Sequence, residues 1–292
     1  MIGIHTGKHA VLSAILLGVL FLLFPTGIRT AAFRSLRLCA EKLIPALFPF
    51  LVLTALYRKA SPFPSRRPLL AVPLIGMIAG APVGAELTGN CFRSGAIGKK
   101  TASTLLFLSD TLSPAFLVLA VGEGMLGDRG LGWRLFFAQG IAALLIGGVF
   151  FLNGREKPDA GQPVPALPAA GEFRLLPAVS SSVSEGAFSM LRIVGAVVFF
   201  GAVSGLPLPS GKASVILAAL TEVTGGCAAC ASLGGEAGLL FTAAAVGFSG
   251  LSVAAQVGFS ADGIPMGRYF LGKCLSALLT PMIFAIFLHF PR

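Results

Sequence analysis

An all-α polytopic membrane protein is the fold class predicted by three observations. Of the 292 residues, 55% are hydrophobic and only 12% are charged, roughly half the charged share of an ordinary soluble domain. Mean hydropathy is +0.88. Finally, 37 glycines and 19 prolines exceed what plain spanning helices need and point to helices that break within the apolar region.

The segments follow from the N-terminus. Ala10–Phe24 is an apolar run after Lys8. It reads as a first span or as a signal peptide, and the many later apolar segments favour a retained span. Ile28–Lys42 sets Arg29, Arg34, Arg37 and Lys42 among apolar residues, the pattern of an amphipathic helix in the interface. Leu43–Tyr57 is apolar but short, and it holds Pro45 and Pro49. A full span needs about 20 residues, so this stretch is expected to tilt or to lie partly in the interface. Leu69–Leu87 is apolar and ends in Gly80-Ala81-Pro82-Val83-Gly84-Ala85-Glu86. After polar Thr88–Lys100, a second apolar arm covers Thr101–Leu108. These arms read as two tilted spans or as a re-entrant hairpin. Glu86 is then at membrane depth, where a carboxylate suggests function, or just outside it. Ser109–Pro114 is a polar start to the short apolar piece Ala115–Val121, with Ser113 or Asp110 as helix caps. Gly122-Glu123-Gly124 and Gly127–Gly130 are expected loops, and Leu131–Leu152 is a span.

The Pro-rich stretch Asn153–Gly171 is the expected linker between two halves. The second half opens with amphipathic Glu172–Arg192, in which Glu185 and Arg192 share a helical face. Ile193–Val203 continues as an apolar helix, broken at Gly205–Pro209. Ala213–Leu220 is a short arm before Thr221-Glu222-Val223-Thr224-Gly225-Gly226, and Tyr269–Phe290 is the last span. The predicted organisation is therefore an N-terminal transmembrane helix over 1–27, a first repeat over 28–152, the linker over 153–171 and a second repeat over 172–292. Each repeat is expected to hold an amphipathic helix, a broken or re-entrant helical hairpin and following transmembrane helices. Local matches support the repeat: Leu112-Ser113 with Leu251-Ser252, and Arg134-Leu135-Phe136-Phe137 with Arg268-Tyr269-Phe270-Leu271. The break before Glu86 takes the place of the break at Glu222.

The net charge of +10 is the usual result of basic cytoplasmic loops. Without basic-aromatic interleaving it does not point to nucleic acid. Arg29 to Lys100 carries 11 of the 22 basic residues, which assigns those loops to the cytoplasmic side. Five cysteines, an odd number, argue against a purely intrachain disulfide framework. Cys227-Ala-Ala-Cys230 has redox or metal spacing, but no second pair or nearby histidine completes a site. The three histidines sit at the chain's two ends. No cofactor or metal is called for, and the expectation is that the protein is not an enzyme. Ser249 is the one tempting nucleophile, and no His or Lys is evident as its base.

Val246–Gly258 carries Ser249, Ser252, Gln256 and three glycines inside a region without Lys, Arg, Asp or Glu from Ala237 to Ala261. Such a stretch packs closely against other helices or lines a polar cavity. Its place in a two-fold repeat with paired interrupted helices favours cavity lining, the sequence pointer to a transporter site. The candidate substrate-binding residues are Pro82, Gly84, Glu86, Ser109, Asp110, Ser113, Glu222, Thr224, Ser249, Ser252 and Gln256. Ser249 and Ser252 are expected to face Glu222 and the first-half break rather than lipid; Glu222 takes a coupling proton, fixes substrate hydroxyls or a cation, or caps freed N–H groups at the break.

Several motifs carry a resemblance. Leu47–Leu51, Ile75–Ala85, Gly122-Glu123-Gly124-Met125-Leu126-Gly127, Leu220–Gly226 and Gly247–Val257 are similar to segments of the YlbJ family of sporulation integral membrane proteins, over roughly Cys39 to Phe287. That family belongs to the nucleoside recognition, or gate, domain group, which also resembles concentrative nucleoside transporters. Thr221-Glu222-Val223 is similar to those transporters' N-E-F motif, and Gly247–Gln256 to their following broken helix. Glu222, Ser252 and Gln256 fall on matching positions. Gly250 stands where the transporters have Asn, and Ala81-Pro82-Val83 replaces their Q-T-E, so the resemblance implies neither nucleoside specificity nor sodium coupling. It implies a role in endospore formation, in a multi-pass cell membrane such as the outer forespore membrane, with dipicolinate as cargo. The expected function is a secondary transporter or facilitator of a small anionic solute. Its rivals are a nucleoside-like solute transporter, a non-transporting membrane scaffold and, least favoured, an intramembrane enzyme. The bilayer and the solute are the expected partners, and a homo-oligomer is left open.

Overall fold

The computed structural model describes residues 3–60, 68–153, 174–207 and 211–289. All regular structure among them is helical. Helix α1 is Gly3–Leu23 and α2 is Pro25–Leu38. A π-helical turn, Cys39–Leu43, joins α2 directly to α3, Ile44–Ala60. The amphipathic stretch and the short apolar stretch are thus one continuous helix of 36 residues, not an interfacial helix followed by a separate short span. The wide π turn lies just before Pro45, whose ring lacks an N–H and crowds the preceding turn of a regular α-helix, and it buries Cys39 and Leu43.

Two helical hairpins follow the same plan. In the first, α4 (Pro68–Ala79) folds back on α5 (Ala81–Arg93). Its tip is Gly80, whose φ of +90° requires glycine. In the second, α9 (Lys212–Thr221) folds back on α10 (Val223–Ala231), with Glu222 as the tip. With arms of 9–13 residues, rising about 1.5 Å per residue, no single arm spans a bilayer of about 30 Å.

Each hairpin precedes an interrupted helix. Helix α6, Lys99–Ser109, gives way to non-helical Asp110–Ser113 and then a π-helical segment, Ala115–Leu126. The loop expected at Gly122–Gly124 is absent: the helix runs to Leu126 and ends at left-handed Gly127. Helix α11, Gly235–Phe248, is separated from α12, Gly250–Ser260, by Ser249 alone, the only described non-glycine residue with positive φ, +68°.

Three long helices complete the fold. Helix α7, Arg129–Leu152, starts at an Asp128 cap whose carboxylate accepts from Gly130 N–H at 2.7 Å. Helix α8 is Leu175–Val203, and α13 is Gly267–His289. Helix α13 packs on α7 and α11, while α8 packs on α2 and α3. Among the described residues, five helical stretches are long and apolar enough to cross a membrane: Pro25–Ala60, Arg129–Leu152, Leu175–Val203, Gly235–Phe259 and Gly267–His289. The chain is an all-α polytopic membrane protein by those lengths and compositions. Of the expected linker only Asn153 is described, as the C-cap of α7; positions 154–171, like 208–209 of the Gly205–Pro209 break and Phe290, lie outside the described residues.

Candidate functional site

The first hairpin tip rests on the first interruption. A Cβ on Gly80 would sit 3.2 Å from Ser113 Cβ. The second tip rests on the second interruption, where a Cβ on Gly250 would lie 2.8 Å from Val223 N. The hairpins also pack crosswise, α5 on α12 and α10 on the π-helical segment. Both tips, the first interruption and the first turns of α12 therefore meet around one cavity, with about 550 Å³ of empty space including its mouth. Leu43, Leu47, Leu51, Phe116, Ile193 and Val197 make most of its wall apolar. Its polar groups come from Ser113, Glu222, Thr224, Ser252 and Gln256.

Glu222 is 2% exposed. Its backbone is extended, so it ends α9 and begins α10. The carboxylate turns back on its own helix: Oε1 accepts from Thr224 N–H at 2.7 Å, and Oε2 accepts from Gly225 N–H. The side chain thus satisfies two of the N–H groups that a helix start leaves free. Ser252, only 1% exposed, is different. The residue lines the cavity, and its hydroxyl is buried without a hydrogen-bond partner among the described residues. A second cavity lies on the other side of Glu222, with about 1090 Å³ of empty space including its mouth, and is bordered by Arg34, Arg37, Ser35, Ser204 and Ser232. Glu222 belongs to both walls.

Beside the cavity is a sealed polar cluster. Lys273 on α13 is 3% exposed. Its ammonium is 2.9 Å from Asp110 Oδ2, donates to the Asp110 carbonyl, and reaches Ser249 Oγ at 3.0 Å. Tyr269 Oη donates to the same carboxylate oxygen at 2.6 Å. Gln139 on α7 makes a neutral counterpart to this stitch: it accepts from Leu112 N–H at 3.3 Å and donates to the Val246 carbonyl at 3.2 Å. Two side chains on long helices thus supply partners to backbone left free at both interruptions, as buried polar backbone requires.

The eleven candidate residues therefore divide. Ser113, Glu222, Thr224, Ser252 and Gln256 share the cavity. Asp110 and Ser249 are buried in the Lys273 cluster and border neither cavity. Ser249 is buried and shares Lys273 with Asp110 of the first-half break, but the expectation that it also faces Glu222 is corrected, because the one-residue break turns its hydroxyl toward α13. Ser249 does have a lysine within reach, contrary to the sequence reading. That lysine is also bound by the Asp110 carboxylate. Gly84 and Ser109 pack together, with Ser109 Cβ 2.7 Å from where a Gly84 Cβ would stand, and Thr88 hydrogen-bonds Ser109 at 3.2 Å. Pro82 lies in the first turn of α5; its side chain is outside the described residues. Glu86 is not at the hairpin tip. It stands six residues past Gly80, with 38% of its side chain exposed and Arg58 and Arg192 each 3.7 Å away. Arg58 and Lys59 also pair with Glu185, so this network ties α3, α5 and α8 together. Cys227 and Cys230 are free and buried in α10, and no metal-binding group of His, Cys, Asp or Glu occurs among the described residues.

Lys273 and Gln139 were missed in the sequence. A signal existed: Lys273 is the one charged residue well inside the last apolar span, and Gln139 the one amide in α7. No protein-family model, curated protein or solved structure matches the chain.

Proposed function

We propose that this protein is a secondary transporter or facilitator of a small anionic solute, which binds in the cavity between Glu222 and Ser252. The observation that carries the proposal is Ser252: a buried hydroxyl without a partner costs about 1–3 kcal/mol, and here the residue that carries it lines a cavity, from which a ligand reached by a turn of the side chain would satisfy it. The mostly apolar wall with a few polar groups suits a small ring with a polar or charged edge. Glu222, shared by two cavities, would act as the partition between them.

The geometry suggests how Glu222 works. An anion drawn to the start of α10 finds its two best N–H donors already bound by the Glu222 carboxylate. Cargo must displace that carboxylate, and protonation weakens its hold. Uptake is therefore proton-coupled and rises as the pH on the entry side falls. Arg34, bordering the second cavity, attracts anions toward the partition; Arg37 on the same wall is paired with Glu41 at 2.7 Å.

We further propose that the two halves are structural repeats whose hairpins re-enter the membrane. Each half has a hairpin, an interrupted helix and a long helix in that order. The offset that carries Arg134 to Arg268 also carries Gln139 to Lys273, the two side chains that stitch the interruptions. The motif resemblance to the YlbJ group supports dipicolinate as the favoured cargo, in a membrane active during endospore formation. The test is uptake by vesicles containing only the purified protein, with dipicolinate, nucleosides and control dicarboxylates. Saturable dipicolinate uptake is expected. Nucleoside uptake alone would move the substrate class, while no uptake together with stable co-purification of another membrane protein would make the chain a scaffold.

A further inference from the structure

We infer that Asp110 and Ser249 form a site for a monovalent cation, and that the chain fills it with its own Lys273 ammonium. Three oxygens of three kinds converge on Nζ: a carboxylate oxygen and a main-chain carbonyl of Asp110, and the Ser249 hydroxyl. That number equals the three donors of an ammonium. Hard cations take the same ligands, carboxylate, carbonyl and hydroxyl oxygens. The ligands come from the interruptions of two different helices, Asp110 after α6 and Ser249 after α11, and helix interruptions at membrane depth are where backbone oxygens become free to hold cations.

Two further observations separate a cation site from simple packing. Gln139 bridges the same two interruptions with a neutral amide, so joining them does not itself require charge. At position 273 a full positive charge is buried with its carboxylate, an arrangement costly enough in desolvation that a stitch alone does not explain it. In addition, Asp110 Oδ1 and Thr111 Oγ1 are buried without hydrogen-bond partners. The ammonium has no fourth proton to offer them, whereas an alkali ion, which takes more ligands, has room for further oxygens. The inference stands apart from the transport proposal: it concerns what neutralises Asp110, and it is read by stability alone.

Thermal unfolding of the purified full-length chain in detergent tests it, with sodium, potassium or lithium chloride replacing choline chloride at constant ionic strength. The wild type is expected to unfold at the same temperature in all four salts. Lys273→Ala vacates the site; it is expected to unfold several degrees lower in choline and to recover saturably with one of the three alkali ions. Asp110→Asn combined with Lys273→Ala removes the charged ligand and should abolish the recovery. Lys273→Ser, which adds a hydroxyl ligand, is the second variant. The inference is overturned if both single variants respond alike to choline and the alkali ions. A wild type that gains as much as the variants overturns it too, as does failure to obtain either variant folded with all three ions present during extraction.

Discussion

Ser249 and Ser252 stand three residues apart on one interrupted helix and have opposite surroundings. The Ser249 hydroxyl is sealed in, held by an ammonium and donating to the Val246 carbonyl at 3.2 Å. The Ser252 hydroxyl is equally buried and has no partner. The same contrast divides the two acidic residues of the region. Asp110 is neutralised by a lysine from another helix, while Glu222 takes its hydrogen bonds from the first turn of its own helix and faces two cavities. The difference teaches how to separate polar residues that hold an interrupted membrane fold from those available to a ligand. The first find partners on distant helices. The second are left with local partners or none.

The largest effect should come from the sealed side. Lys273→Met strands the Asp110 carboxylate, and breaking one partner of a buried pair costs about 3–5 kcal/mol. Denaturation in alkali-free buffer should show that loss, and a loss below about 1 kcal/mol would remove the distinction between the regions. Next is Gly250→Val, at the seam between them. A β-branched residue there meets Val223 N and an unfavourable φ of +77°, for about 1–3 kcal/mol measured in the same way. A variant as stable as the wild type would show that the second hairpin tip does not rest on the interruption.

Smaller stability changes with larger functional ones are expected on the cavity side. Glu222→Gln keeps one acceptor in place of two and should cost about 1 kcal/mol. In vesicle uptake it should also flatten the rise at low pH. Transport that stays normal at every pH tested would sink proton coupling through Glu222. Ser252→Ala removes a hydroxyl that has no partner, so stability should change by less than about 0.5 kcal/mol or improve, while solute affinity falls about tenfold, about 1.4 kcal/mol. Unchanged affinity would return this face of α12 to packing. The smallest effect belongs to Glu86→Gln. Its arginine contacts are 3.7 Å long and partly solvated, so less than about 0.5 kcal/mol and no change in uptake are expected.

Much of the architecture was legible. The interruptions at Gly80, at Asp110–Pro114 and around Ser249, together with the isolation of Glu222, follow from glycines, prolines and polar residues inside apolar runs. Other features were not. The Ile28–Tyr57 stretch has the charge pattern of an interfacial helix followed by a short span, yet a π turn fuses the two, and no residue pattern announces that wider turn. Sequence position pairs Glu86 with Glu222, but its helix starts five residues earlier, at Ala81, and turns it toward Arg58 and Arg192. The Lys273 cluster was overlooked because Lys273 and Asp110 are 163 positions apart, and periodicity within one segment carries no information about partners in another.

Composition and residue order alone establish a helical membrane protein and the breaks at its two hairpins and two interrupted helices. Apolar length sets what can cross a bilayer, and glycine, proline and short polar side chains set where a helix cannot continue. Only the tertiary structure decided which polar groups at those breaks are closed off and which remain open. Burial removes water from every one of them alike, so each one's role depends on whether a distant helix brings a partner within hydrogen-bond reach, as α13 does for Asp110 and no helix does for Ser252.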